Sequence, residues 1–261
     1  MKAAKFLQLS LVGIVIIVLL IIAFVSVISK KNVKAMDTCV EEVLHKLEKN
    51  YNVTPIDVGA YKKMKIYGIM KFHVEQYHIE ELGNLSIMRM NMGIMQMATI
   101  VITPGDKNMP LLSADYMYIL SNRKSYLEFY DVVKEKDESY LALLDALSAS
   151  LNNYNHLESI EASPAWYAPL LTVTAYKGGK ADTDESVKNM LLDSLDVYIN
   201  HSKNLPLLSE EAKASKHTIT QEYTDGLIEK GGISTDVFKK SLGDAETKKF
   251  FDNIFFGTST L

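Results

Sequence analysis

Residues 109–133 read MPLLSADYMYILSNRKSYLEFYDVV. Two apolar, aromatic runs flank Ser121-Asn122-Arg123-Lys124, which has the residue types of a hairpin turn, and the second run returns through Tyr126 to Val133. Strands in direct succession pair antiparallel, because a parallel pair needs a crossover of a dozen residues or more. Asp115 sits where the first run turns aromatic. A carboxylate embedded there is costly to ionise, so its pKa is expected to rise and it can hold a proton near neutrality. That is the profile of a proton donor. The structural alternative is a strand-start aspartate satisfied by turn amides, since structural carboxylates are perturbed too.

Working outward, Pro104 to Asn108 is a loop leading into this strand. Upstream, Ile66, Gly68, Met70, Phe72 and Val74 alternate with other residues, Glu81 to Asn84 reads as a turn, and Leu85 to Ile102 as one long strand region. Its methionines, from Met88 to Met97, read most simply as core filling and otherwise as a soft wall for a large flat ligand. Trp166 to Tyr176 is a further strand, closed by Lys177-Gly178-Gly179-Lys180. Helical spacing marks Met36–Asn50, with Cys39 on the apolar face, then Tyr140–Leu151 and a helix from Asp182 through His201. Ser209–Lys230 follows, stopped by Gly231-Gly232, and two short helices, Thr235–Leu242 and Ala245–Phe255, close the chain. A helix, many strands in succession and then mostly helices imply an α+β domain, with helices covering an antiparallel sheet.

Phe6 to Ile28 is uncharged and overwhelmingly apolar. A helix of that length crosses a hydrocarbon core of roughly 30 Å, and the run is longer than the apolar part of a cleavable signal. We read 1–30 as a retained single-pass membrane anchor, 31–35 as a basic connector, 36–257 as the folded domain and 258–261 as a tail. Lys2 and Lys5 precede the span while Lys30, Lys31 and Lys34 follow it, which favours a cytoplasmic domain. A net charge of −4 without a basic, aromatic-interleaved stripe argues against nucleic acid as a partner. The single cysteine excludes an internal disulfide, a cysteine-ligated zinc and a protein-held iron–sulfur cluster. The six histidines are dispersed and no metal site is expected. Lysine clusters at 62–71 and 239–249 read as solvated faces, or as docking surfaces for an acidic protein.

Three segments, in order, resemble the ferredoxin-dependent bilin reductases, the family related to red chlorophyll catabolite reductases. The strand Ile100-Val101-Ile102-Thr103-Pro104, its loop and Met109–Asp115 resemble a proline-led loop into a Pro-x-x-Gly/Ala-x-Asp strand. Ser163-Pro164-Ala165-Trp166-Tyr167-Ala168-Pro169-Leu170 is similar to the family's tryptophan-containing segment, and Tyr223 to Gly257 to its C-terminal helices. The resemblance implies an α/β/α sandwich with a linear tetrapyrrole (bilin) between the sheet and the C-terminal helices. It implies an oxidoreductase acting on CH–CH groups with an iron–sulfur protein as donor, and no tightly bound cofactor. Reduced ferredoxin, or a flavodoxin-like protein, would supply electrons while protein groups supply protons. Asp115 matches the family's proton-donating aspartate, with Asn91, Gln96, Thr99 and Ser113 as expected substrate-binding neighbours. The chain departs from the pattern at Met97-Ala98-Thr99, where many members carry a histidine, and at Gly231-Gly232, where members often have an acidic residue. The rival expectation is a membrane-anchored module that binds a tetrapyrrole or other flat apolar ligand without chemistry.

Overall fold

The computed structural model describes residues 2–232 and 235–260, with side chains described for 13–232 and 235–259. A single helix, α1 (Lys2–Glu48), opens the chain. Eight strands follow: β1 (Val53–Ile56), β2 (Lys63–Ile66), β3 (Met70–Ile79), β4 (Gly83–Asn91), β5 (Met95–Pro104), β6 (Leu111–Ile119), β7 (Asn122–Tyr130) and, after α2 (Glu138–Asn152), β8 (Leu171–Lys180). The chain closes with α3 (Asp184–Asn204), α4 (Glu210–Lys230), α5 (Thr235–Leu242) and α6 (Asp244–Phe250), which runs into a π-helical turn at Phe251–Phe255. The strands form one antiparallel sheet in the order β1-β3-β4-β5-β6-β7-β8, with β2 also paired to β3. This is the α/β/α sandwich expected from the sequence.

Alternation along the strands sorts side chains into two cores, because successive residues point to opposite faces. On one face Ala98, Ile100 and Ile102 of β5 meet α1, α2 and α3; on the other Met88, Met90, Val101 and Leu111 meet α4–α6. In α1, Met36, Cys39, Val40, Val43 and Leu47 recur at helical spacing and are buried on the first face. Each such side chain contributes about 1.5–3 kcal/mol when taken fully from water.

Several expected boundaries move. Residues 31–35 are helical and join the apolar run to the packed segment without interruption, so the backbone has no connector there. Leu85–Ile102 is two strands, β4 and β5, turning at Met92-Gly93-Ile94, where Gly93 takes φ 85°. The alternation from Ile66 to Val74 likewise contains the Tyr67-Gly68-Ile69 turn. Both turns were hidden for one reason. A tight hairpin places its flanking residues opposite each other on one face, as with Ile66 and Met70, so the period-two pattern runs through the reversal. The β6–β7 turn is at Leu120-Ser121 rather than 121–124, with Leu120 at φ 52°. The strand expected at Trp166 starts at Leu171 and continues through Lys180. Its glycines extend the strand because neighbours crowd it: a Cβ on Gly178 would stand 2.7 Å from the Ile160 side chain.

Candidate functional site

The C-terminal helices are held over the second face of the sheet by side chains of β3 and β4. The Gln76 amide donates to the Asn253 carbonyl at 2.9 Å, Asn84 to Ile254 at 3.3 Å and the Ser86 hydroxyl to Phe255 at 2.5 Å. These bonds satisfy carbonyls that the irregular last turn would otherwise leave orphaned in the interior. They also fix a cluster of Phe250, Phe251, Phe255 and Phe256, whose neighbouring rings lie 5.0–6.0 Å apart.

Between this cluster and the sheet lies a cavity of about 660 Å³, within the span of pockets that hold drug-sized ligands. Its floor is the outward row of three strands: Met97 and Thr99 from β5, Ser113, Asp115 and Met117 from β6, and Tyr126, Glu128 and Tyr130 from β7. Tyr176 of β8, Tyr167, Tyr223 of α4 and the terminal phenylalanines form walls and roof. Exposed Lys124 stands on the rim.

The register sets the polar groups side by side. Asp115 is directly opposite Thr99 on one neighbour and Tyr126 on the other, and Glu128 is opposite Ser113. Thr99, itself buried, donates its hydroxyl proton to the Asp115 carboxylate. Asp115 is half-buried and lines the cavity. Removal from water pushes its pKa up to about 6; the Thr99 hydrogen bond works against that rise, and the Glu128 charge adds to it. Glu128 accepts from the Tyr130 and Tyr176 hydroxyls, the latter at 2.9 Å. Burial, reinforced by charged neighbours, pushes the Tyr167 hydroxyl up to about 12 and those of Tyr130, Tyr176 and Tyr223 higher still. At neutral pH these phenols are therefore hydrogen-bond donors. One carboxyl group ready to hold or release a proton faces a space walled by aromatic rings.

Of the residues expected from sequence, the structure brings Asp115, Thr99 and Ser113 together in this cavity. Asn91 and Gln96 are elsewhere. They face each other across β4 and β5 on the opposite side of the sheet, where Gln96 is buried and bonded to Asn32 of α1 at 3.0 Å. Gln96 is three residues from Thr99, and an odd separation on a strand reverses the face. At Gly231-Gly232, where the chain departs from the family pattern, the nearby acid Asp236 lies against Gly231 and does not line the cavity. Glu128, Tyr130 and Tyr176 were missed. The alternation Lys124, Tyr126, Glu128, Tyr130 on the return strand carried the signal once paired with Asp115.

No protein-family model matches the chain, and no curated protein does. Among solved structures it is similar to phytochromobilin synthase from tomato, whose structure is in complex with biliverdin. The TM-score is 0.68 at 12% identity, over 85% of this chain and 83% of that one. The chain has the bilin reductase fold.

Proposed function

We propose that the cavity binds a linear tetrapyrrole and that the protein reduces it by sequential electron and proton transfers. The observation that carries this reading is the Asp115 carboxyl group, with its raised pKa, opening into an aromatic-walled cavity beneath the C-terminal helices. The shared fold with a protein solved in complex with biliverdin supports it. In this reading a reduced ferredoxin or flavodoxin-like protein supplies the electrons, and no tightly bound cofactor takes part. As each electron reaches the pigment, a proton leaves Asp115 for it. The Thr99 hydroxyl then stabilises the carboxylate left behind, and water at the cavity mouth restores the proton. Ser113 contacts the pigment beside Asp115, while Tyr167 and Tyr223 offer it hydroxyl donors. In this reading α1, long and apolar enough to cross a membrane, anchors the domain as a single pass, and the excess of lysines after the apolar run favours a cytoplasmic domain.

A second reading is favoured by one specific observation. Met97 and Thr99 present a thioether and a hydroxyl to the cavity where many members of the family carry histidine. Without that histidine the site would hold pigment without completing a proton relay, leaving a binding module. Anaerobic mixing of the full chain with biliverdin and a reduced ferredoxin system separates the two. Reduction predicts a spectral change on mixing that progresses with added electrons. A shift that never progresses selects the binding module, and the absence of any shift removes both.

A further inference from the structure

α1 carries the apolar run into the domain without a break, and two of its side chains set its level against the sheet. The Gln96 amide donates to Ser29 Oγ at 3.0 Å and accepts from Asn32 Nδ2 at 3.0 Å. Gln96 is directly opposite Asn91 and Tyr118, and Asn91 is opposite Lys71, so these four residues form one row level with Ser29. Beyond that row the strands still have to turn. Tyr67 and Ile69 lie in the β2–β3 turn and Ile94 in the β4–β5 turn. Two strand residues advance about 6–7 Å, the rise of about four helix residues. Ile69 and Ile94 are therefore level with about Val25, inside the apolar run. The helix itself carries the mark of this: between residues 14 and 30 only Val25, Ile28 and Ser29, on one face, are half-buried.

The chemistry of these turns suits a bilayer surface. Tyr67, Ile69 and Ile94 are 56%, 61% and 52% exposed. One step back, Lys65 stands directly opposite Lys71. Like charges in that position repel unless anions cover them. Neither lysine forms an ion pair among the described residues, and nor do Lys30, Lys31 and Lys34 at the same level of α1. The acids nearest these lysines are already paired: Asp37 and Glu75 with Arg89, and Asp184 and Glu185, which share a pocket with Lys31 and Lys34, with Arg123 and Lys188.

We propose that the β2–β3 and β4–β5 turns make a second membrane contact. Tyr67, Ile69 and Ile94 enter the interfacial layer of the bilayer that α1 crosses, and Lys65 and Lys71 meet anionic headgroups. The inference rests on α1 being a membrane span. The domain then stands with its strands steeply inclined to the membrane and this end of the sheet seated in it.

The test uses the full chain in mixed phosphatidylcholine–phosphatidylserine vesicles, with one polarity-sensitive fluorophore at a time on Ile94→Cys, Ile69→Cys, Leu20→Cys or Leu207→Cys. Cys39 stays unlabelled, being buried with its thiol pushed up to about 12. Leu207, exposed beside the β5–β6 loop at the opposite end of the sheet, is the aqueous reference. Probes at Ile94 and Ile69 should be quenched by spin-labelled lipid and be several-fold less accessible to iodide than the Leu207 probe. If Leu20 is lipid-shielded while Ile94 and Ile69 are as open to iodide as Leu207, this inference falls and the anchor stands. If Leu20 is also open to iodide, the anchor falls and takes the inference with it. Unchanged Trp166 emission in each variant guards against misfolding.

Discussion

Asp115 combines a hydrogen bond from Thr99, a like-charged neighbour in Glu128 and removal from water by burial, and these pull its pKa in opposing directions with burial winning. Asp115→Asn keeps the shape and still accepts the Thr99 hydroxyl, but has no proton to give. Pigment titration should show unchanged binding, while the reduction rate falls about 10²–10⁴-fold; equal rates would remove the role. A second consequence concerns stability. The folded carboxyl group titrates near 6 against an ordinary value of 3.8, so between those pH values the folded state binds more protons than the unfolded one. Stability contributed at this residue is complete below pH 3.8 and is lost as pH rises through about 6. The loss amounts to up to about 3 kcal/mol, less what cavity water screens. Asp115→Asn should therefore be more stable than the parent in denaturant titrations at pH 7–8 and equal to it below pH 4. A constant difference across that range would contradict the assignment. The residue was legible in sequence because an isolated acid in an aromatic run is visible without a register. Glu128 was not, because nothing in its own segment ties it to Asp115. The tie exists only once β7 is laid beside β6, and either turn then sets Glu128 one pair away on the same face, with only the directly opposite residue changing. A turn at 121–124 pairs Asp115 with Tyr130, whereas the observed turn pairs it with Tyr126.

Helices with clear caps and stops were legible to within a residue or two: α2, α4 and α5 end where these place them, with Ser209 capping α4 through the Ala212 amide. The tight turns at 67–69 and 92–94 were not, since the pattern passes through them unchanged. Some helix positions answer to tertiary contacts that no local pattern encodes. Gly226, in the interior of α4, is one: a Cβ there would stand 2.3 Å from the Trp166 ring. The indole donates to the Gly231 carbonyl at 2.8 Å, and Lys230 lies 4.7 Å from the ring centre. The glycine thus lets the loop before β8 close against α4 at the cavity wall, at a helix-propensity cost of about 1 kcal/mol relative to alanine. Gly226→Ala should regain that propensity but lose more to overpacking, for a net destabilisation of about 1–2 kcal/mol. Because Trp166 is the single tryptophan, its emission reports the change directly: the variant should emit at longer wavelength and bind pigment more weakly. Unchanged emission and stability would show that the loop yields at no cost.

For the molecule as a whole, the apolar run and the folded domain share one helix, so the orientation of the domain is set by whatever fastens that helix to the sheet. Most of the fastening is apolar, but beside the row of Gln96 it is a buried polar network. Asn32 donates to Gln96 Oε1 at 3.0 Å and to the Leu120 carbonyl at 2.9 Å, and accepts from Arg123 Nη2 at 2.9 Å. Arg123 is in turn paired with Asp184 at the start of α3. One side chain, 1% exposed, thus ties α1 to β5, to the β6–β7 turn and, through Arg123, to α3. From sequence alone Asn32 sits in a basic connector, and nothing local marks it; its importance arises only because the helix does not stop. Asn32→Leu preserves the helix and roughly the volume, yet leaves the buried Gln96 Oε1 without its donor, while the Leu120 carbonyl keeps Arg123 Nη1 and Arg123 Nη2 keeps Asp184. An orphaned buried group costs about 1–3 kcal/mol, so thermal unfolding followed by Trp166 emission should shift down by several degrees. Hydrogen exchange should quicken at the β6–β7 turn and at residues 29–34 of α1, while β3 and β4 at the cavity's far side stay protected. Uniform loosening of the sheet would mean that the network supports the whole fold. No change at either place would mean that packing of Met36, Val40 and Val43 is enough to hold the helix.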